Sequence, residues 1–194
     1  MGEGVRCVTP NALPGLWQLA HRGEPMPRRF VVLGAGKTAM DACIWLLQSG
    51  TPPDAITWVM PRDSWVVNRL GTQNGPEFFN EAIGGQADQM QAFAEATSID
   101  DLYLRLEACG VMFRIDRARM PTMFHLATLS EAEVEVLRRI SHVVRLGRVT
   151  AIDADGMQLA QGRVAVEPGA LYIDCTASAV RFKPSSPVFQ GNKI

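Results

Sequence analysis

Four apolar residues, Phe30-Val31-Val32-Leu33, run into Gly34-Ala35-Gly36-Lys37-Thr38-Ala39, and apolar residues then recur at Met40, Cys43, Ile44 and Leu47. A continuous apolar run bounded by glycine is the pattern of a strand buried on both faces, and the later spacing is that of an amphipathic helix. The chain is therefore committed here to a strand, a sharp turn and a helix. Gly34 permits the tight turn, Gly36 lets a diphosphate approach the backbone without meeting a Cβ, and small Ala39 lets the helix pack close to the strand. Free amide groups and the positive end of the helix dipole make such a turn an anion site. Gly34, Ala35, Gly36, Lys37, Thr38 and Ala39 are accordingly the expected contacts to the pyrophosphate of a dinucleotide. Lys37 could add a point charge and Thr38 a hydroxyl there, or both could be solvated residues of the first helical turn.

The next strand end selects the cofactor. Gly50 closes the helix and Pro52-Pro53 prevent its continuation, after which Ile56-Thr57-Trp58-Val59-Met60 has the β-branched and aromatic content of a second parallel strand. An acidic residue at its end would accept hydrogen bonds from a ribose 2′-hydroxyl, whereas an arginine would pair with a 2′-phosphate. The sequence reads Met60-Pro61-Arg62-Asp63. Arg62 comes first and predicts NADP(H), with NAD(H) still open, and Asp63 reads as a turn residue.

Around this βαβ unit the pattern is less regular. Pro10, Pro14, Pro25 and Pro27 break residues 1–29 into an extended linker, in which Leu13-Pro14-Gly15-Leu16-Trp17 should dock on an apolar surface. Residues 64–110 read as a helical insertion. One helix starts at Gly75-Pro76 and carries Phe78, Phe79 and Ile83. A second over 86–96 turns Met90, Phe93 and Ala94 to one side, and a third starts at Ser98 with Leu102, Leu106 and Cys109 inward. Their aromatic residues should form a local core, the other option being a substrate pocket. Strands are expected at 111–115 and 122–126, and Ser130-Glu131-Ala132-Glu133 is a capping box opening a helix over 131–140. Residues 143–160 read as a hairpin turning at Asp155-Gly156. A last apolar strand begins at Leu171 and ends in Cys175-Thr176-Ala177-Ser178, followed by a second linker over 183–194.

With both strand ends in view, the chain resembles the pyridine-nucleotide domain of two-dinucleotide-binding flavoproteins, a group that includes flavin monooxygenases and disulfide reductases. The resemblance rests on residues 30–63 and on 171–178, where Cys175-Thr176-Ala177 stands in place of the Ala-Thr-Gly that commonly ends that strand. It implies an α/β fold, a three-layer Rossmann-like βαβ domain over 30–182 with a parallel core sheet, a helical insertion and a β-hairpin. It also implies cofactor contacts from Thr176 and Ala177, and FAD in a partner domain reached through the two linkers. The sequence has one Gly-x-Gly-x-x-Gly/Ala turn, so the flavin site is incomplete in this chain, which should bind NADP(H) but not turn over alone. Hydride transfer needs no protein acid or base, and none is nominated.

Other classes fit less well. Gly36-Lys37-Thr38 ends like a phosphate-binding loop of nucleotidases, but Val31 stands where that motif needs a glycine. Tyr103 and Tyr172 lack the following lysine of short-chain dehydrogenases. A dinucleotide-sensing module without redox chemistry uses the same turn and stays open. A net charge of −1 gives no reason to expect nucleic acid or an acidic membrane as partner. No apolar run approaches the ~20 residues that span a bilayer. Cys7, Cys43, Cys109 and Cys175 are scattered, which argues for reduced thiols in a cytoplasmic protein and against a metal site. A homodimer is left open.

Overall fold

The computed structural model describes residues 4–20, 22–23, 25–177 and 191–192. Its strands are β1 (Arg6–Val8), β2 (Phe30–Leu33), β3 (Ile56–Val59), β4 (Ser64–Asn68), β5 (Met112–Phe113), β6 (Met123–Leu129), β7 (Val143–Val144), β8 (Val149–Asp153), β9 (Gly156–Leu159), β10 (Gly162–Ala165) and β11 (Leu171–Asp174). Its helices are α1 (Leu13–Ala20), α2 (Lys37–Gln48), α3 (Gly85–Glu95), α4 (Ile99–Ala108) and α5 (Glu131–Arg138).

β2 has strands on both sides and is buried at every position, which is why its sequence is apolar without alternation. It lies in a five-stranded sheet of order β1-β11-β2-β3-β7, in which every neighbouring pair is parallel. Alternation along the strands feeds two cores. Phe30, Val32, Ile56, Trp58, Leu171 and Ile173 point to one face and pack with Ala39, Met40, Cys43 and Leu46 of α2 and Val134 and Leu137 of α5. Val31, Leu33, Val59 and Tyr172 point to the other and pack on Ile152, Met157 and Leu159 of the antiparallel sheet β10-β9-β8. The result is three layers of helices, parallel sheet and antiparallel sheet. The expected α/β class with a parallel core is present in Rossmann-like form.

Several local expectations are corrected. The segment over 1–29 is not merely extended. Arg6–Val8 pairs in parallel with Leu171–Ile173, and α1 docks on α2 through buried Leu13 and an edge-on contact of Trp17 with Trp45, ring centroids 4.6 Å apart. Docking of the Leu13–Trp17 stretch is thus observed. The expected first arm of the hairpin divides at Gly147, whose φ is +79°. Val143 and Val144 join β3 in the main sheet, while Val149–Asp153 opens the antiparallel sheet that turns at Asp155-Gly156. The linker expected over 183–194 lies outside the described residues apart from Gly191 and Asn192.

The insertion begins with a strand rather than a helix. Trp65, Val66 and Val67 of β4 pair with β5 and β6 in a three-stranded sheet. Trp65 stacks on Tyr103 at 5.0 Å, over a small core with Ala92, Leu106 and Met112. The helix expected from Gly75 is a short 3₁₀ turn followed by a π-type turn over Asn80–Gly84. α3 turns Ala92 inward and leaves Met90 and Phe93 exposed, and Phe79 and Ile83 in the turns before it are exposed as well, so these four do not form a local core. Cys109 is likewise exposed, not inward. The capping box at Ser130 and Glu133 forms in both directions.

Candidate functional site

The order β1-β11-β2-β3-β7 contains a reversal. From β2 the chain moves through β3 towards β7, and β11 returns on the opposite side of β2. The switch point therefore lies between the carboxyl ends of β2 and β11, the place where ligands of open α/β sheets bind. Gly34–Ala39 and Cys175–Ala177 are the two segments that leave these strand ends. Segments far apart in the chain are thus neighbours, and Cys175 N donates to Leu33 O at 3.0 Å.

The two glycines of the turn answer different demands. Gly34 has φ +126°, and a Cβ there would stand 2.8 Å from the backbone oxygen of Cys175. That contact cannot be relieved without moving β11, so the fold itself requires glycine. Gly34 is fixed further by its own N–H, which donates to Val59 O at 2.9 Å, and by its carbonyl, which accepts from buried Trp58 Nε1 at 2.8 Å. Gly36 is the opposite case. Its backbone is extended, φ −88° and ψ 178°, and a Cβ there would meet no atom of the described residues within 4 Å. Nothing among the described residues asks for glycine at 36, which stands at the N-terminus of a 12-residue helix with no side-chain cap. A diphosphate fits such a cradle, because the amides of the first helical turn and the dipole would meet it without an intervening side chain.

The surrounding residues divide into engaged and free. Ala35 and Ala39 are buried, Ala39 completely, which lets α2 lie close to β2. Lys37 is paired with Asp41 one turn along and is not aimed alone at the cradle. Thr38 is exposed. Thr176 is exposed, but its N–H and hydroxyl both donate to Asp174 Oδ1, at 2.9 and 2.6 Å, and Ala177 follows it exposed. Burial, then the charge of Asp174, pushes the Cys175 thiol up to about 12, so the sulfur beside Gly34 stays protonated and unreactive at neutral pH.

At the end of β3, Arg62 is exposed and has no ion-pair partner among the described residues. Asp63 is not an idle turn residue. Its carboxylate accepts from Arg145 Nε and Nη2 at 2.8 and 2.9 Å, and its backbone oxygen accepts from Thr122 N at 3.2 Å. Arg145 reaches Asp116 as well, at 3.1 Å. The acidic residue that could have read a ribose 2′-hydroxyl is thereby occupied, whereas the guanidinium beside it has no ion-pair partner among the described residues. Arg114, Arg117 and Arg119 lie close together in the sequence but are each paired, Arg114 with Glu107, Arg117 with Glu135 and Arg119 with Asp116. A cleft of about 370 Å³ opens near β7, lined by Met60, Asp116, Arg138 and Arg145 among others. Gly34, Gly36 and Arg62 do not line it.

No protein-family model matches the chain. It is 44% identical over 194 residues, its whole length, to uncharacterized proteins from two strains of Mycobacterium tuberculosis and from Mycobacterium bovis. It spans 35% of the length of those relatives. Among solved structures, L-lysine 6-monooxygenase from Pseudomonas syringae aligns with 90% of this chain and 41% of its own, at 15% identity and a TM-score of 0.39. Likeness that slight leaves the fold to be argued from this chain's own strand order.

Two participants were not found from the sequence, Trp58 as the donor to Gly34 O and Arg145 as the partner of Asp63. Trp58 carried a usable signal, since an indole on a fully buried strand needs an acceptor for its N–H. Arg145 carried none, because its partner lies 82 residues away.

Proposed function

We propose that this chain binds NADP(H) at the carboxyl edge of its parallel sheet and presents the nicotinamide to a flavin held by another part of a longer protein. Gly36 carries the proposal. A glycine that the fold does not need, at an uncapped helix N-terminus on the switch point of the sheet, is accounted for by a ligand that must touch the backbone. The preference for the 2′-phosphate rests on Arg62, without an ion-pair partner among the described residues, beside an occupied Asp63.

Nicotinamide, when bound, supplies a hydride; the residues of this chain bind and orient it, and no proton needs moving. Gly34 shapes the turn, the amides at 36–38 receive the pyrophosphate, Arg62 receives the 2′-phosphate, and Thr176 and Ala177 flank the switch point. No second strand–glycine turn–helix unit occurs among the described residues, so a flavin diphosphate would be held elsewhere. The 35% span relative to the mycobacterial proteins leaves room for such a part in proteins of that length. Alone, the chain is expected to bind nucleotide without consuming it. If it serves instead as a dinucleotide sensor, adding FAD and a flavin-binding partner will elicit no NADPH oxidation.

Calorimetric titration with NADPH and NADH tests the cofactor assignment. Charge-assisted hydrogen bonds to phosphate contribute ~1.5–3 kcal/mol, so Arg62→Ala should weaken NADPH binding by roughly 10–150-fold. NADH binding should change by less than about twofold, since it lacks the group that Arg62 pairs with. Equal losses for both would show that Arg62 does not read the 2′-phosphate.

A further inference from the structure

Arg62 and Asp63 stand side by side where a dinucleotide's ribose would be read, and they favour opposite cofactors. A free carboxylate at that corner would accept hydrogen bonds from a 2′-hydroxyl, repel a 2′-phosphate and pair with the neighbouring guanidinium. None of this is available to Asp63 as it stands. Both its oxygens are taken by the fork of Arg145, at 2.8 and 2.9 Å, in a pair whose side chains are only 14% and 19% exposed. Arg145 directly follows β7, the strand beside β3, and is itself held at 3.1 Å by Asp116. Thr122 N pins the Asp63 backbone from a third direction.

We propose that Arg145 is a specificity-determining positioning residue: by clamping Asp63 in a bidentate pair it withdraws the carboxylate from the ribose position and leaves Arg62 free for a 2′-phosphate. The inference rests on the dinucleotide reading and deepens it. Discrimination between two ligands often comes from disposing of the group that would favour the wrong one, and here the disposal is a largely buried ion pair. Bidentate geometry matters, because a lysine at 145 offers a point charge that cannot occupy both oxygens together.

Titration of NADPH and NADH against the wild-type chain, Arg145→Met, Asp63→Asn and the double variant Asp63→Asn/Arg145→Met tests this. Arg145→Met frees the carboxylate, so the ratio of NADPH to NADH affinity should fall by about tenfold or more, the scale of a close charge interaction. Asp63→Asn alone should leave the ratio within about threefold of wild type, and the double variant should recover it, because no carboxylate remains to be disposed of. Should Arg145→Met not fold, judged by circular dichroism, Arg145→Lys takes its place, with a smaller fall in the ratio expected. Weakening of both nucleotides by the same factor would mean that the pair is only structural and would overturn the proposal. So would a double variant that fails to recover the ratio, which would mean that Arg145 touches the phosphate itself. A wild-type chain that binds neither nucleotide refutes the dinucleotide reading as well, and is distinguishable from both.

Discussion

Replacing Gly34 and Gly36 each by alanine should separate what the fold needs from what a ligand needs. At Gly34 the new Cβ meets the Cys175 carbonyl oxygen at 2.8 Å and its carbon at 3.2 Å, both backbone atoms of the neighbouring strand end. Overpacking of that kind costs ~1–3 kcal/mol, and the φ of +126° adds ~1–3 kcal/mol of backbone strain for a residue with a Cβ. Loss of glycine's freedom in the unfolded chain returns only ~0.4–1 kcal/mol. A net destabilisation of about 3 kcal/mol follows, which lowers Tm by roughly 6–12 °C in a domain of this size. At Gly36 an added Cβ meets no atom of the described residues within 4 Å, and the backbone is open to any residue. The poorer N-cap costs ~0.5–1 kcal/mol and the gain through the unfolded state offsets it, so Tm should move by less than about 2 °C. Nucleotide binding should respond the other way, with Gly36→Ala well folded yet markedly weakened for NADPH and NADH alike. Thermal unfolding by circular dichroism and calorimetric titration on the same preparations give both readouts. If Gly36→Ala binds both nucleotides like the wild type, the cradle is not where the diphosphate sits. Comparable melting losses for the two variants would refute the distinction itself.

Trp58→Phe should cost about 2 kcal/mol, since it leaves the buried Gly34 carbonyl without its indole donor, and chemical denaturation should show a lower midpoint with an unchanged slope. In the outer sheet, Arg163 donates to both oxygens of Asp153 and holds its carboxyl down to about 2. A carboxyl depressed in the folded state stabilises above its unfolded pKa and loses that contribution as pH falls through the folded one. Stability should therefore decline between about pH 4 and pH 2, and Asp153→Asn should flatten that part of the profile. A folded-state titration of Asp153 near pH 4, followed by carboxyl carbon resonances, would remove the basis for that expectation.

What the sequence disclosed and what it hid divides along the range of the interactions. β2, α2 and β3 were legible within a residue or two, because an apolar run, two glycines and a helical repeat are local and agree with one another. β1 was not, since three residues at a sheet edge are held by pairing with Leu171–Ile173 at the far end of the chain. β4 could have been found, because Trp65-Val66-Val67 has clear strand content that the neighbouring helical pattern masked. Exposure of Met90 and Phe93 was missed for another reason. With Gly84-Gly85 and a π-type turn ahead of α3, the phase of the helix cannot be carried over from Phe79 and Ile83, and small Ala92 takes the inward position. For the candidate site, the glycine turn and Arg62 were named from sequence, whereas the engagement of Asp63 with Arg145 and of Thr176 with Asp174 required the folded chain.

The measurement that bears most directly on the account is calorimetric titration of the wild-type chain with NADPH and with NADH under identical buffer and salt. Saturable binding of both, with NADPH the tighter by about tenfold or more, is the predicted result, since only NADPH offers the phosphate that Arg62 can pair with. Binding of neither nucleotide, or equal affinity for the two, would contradict it.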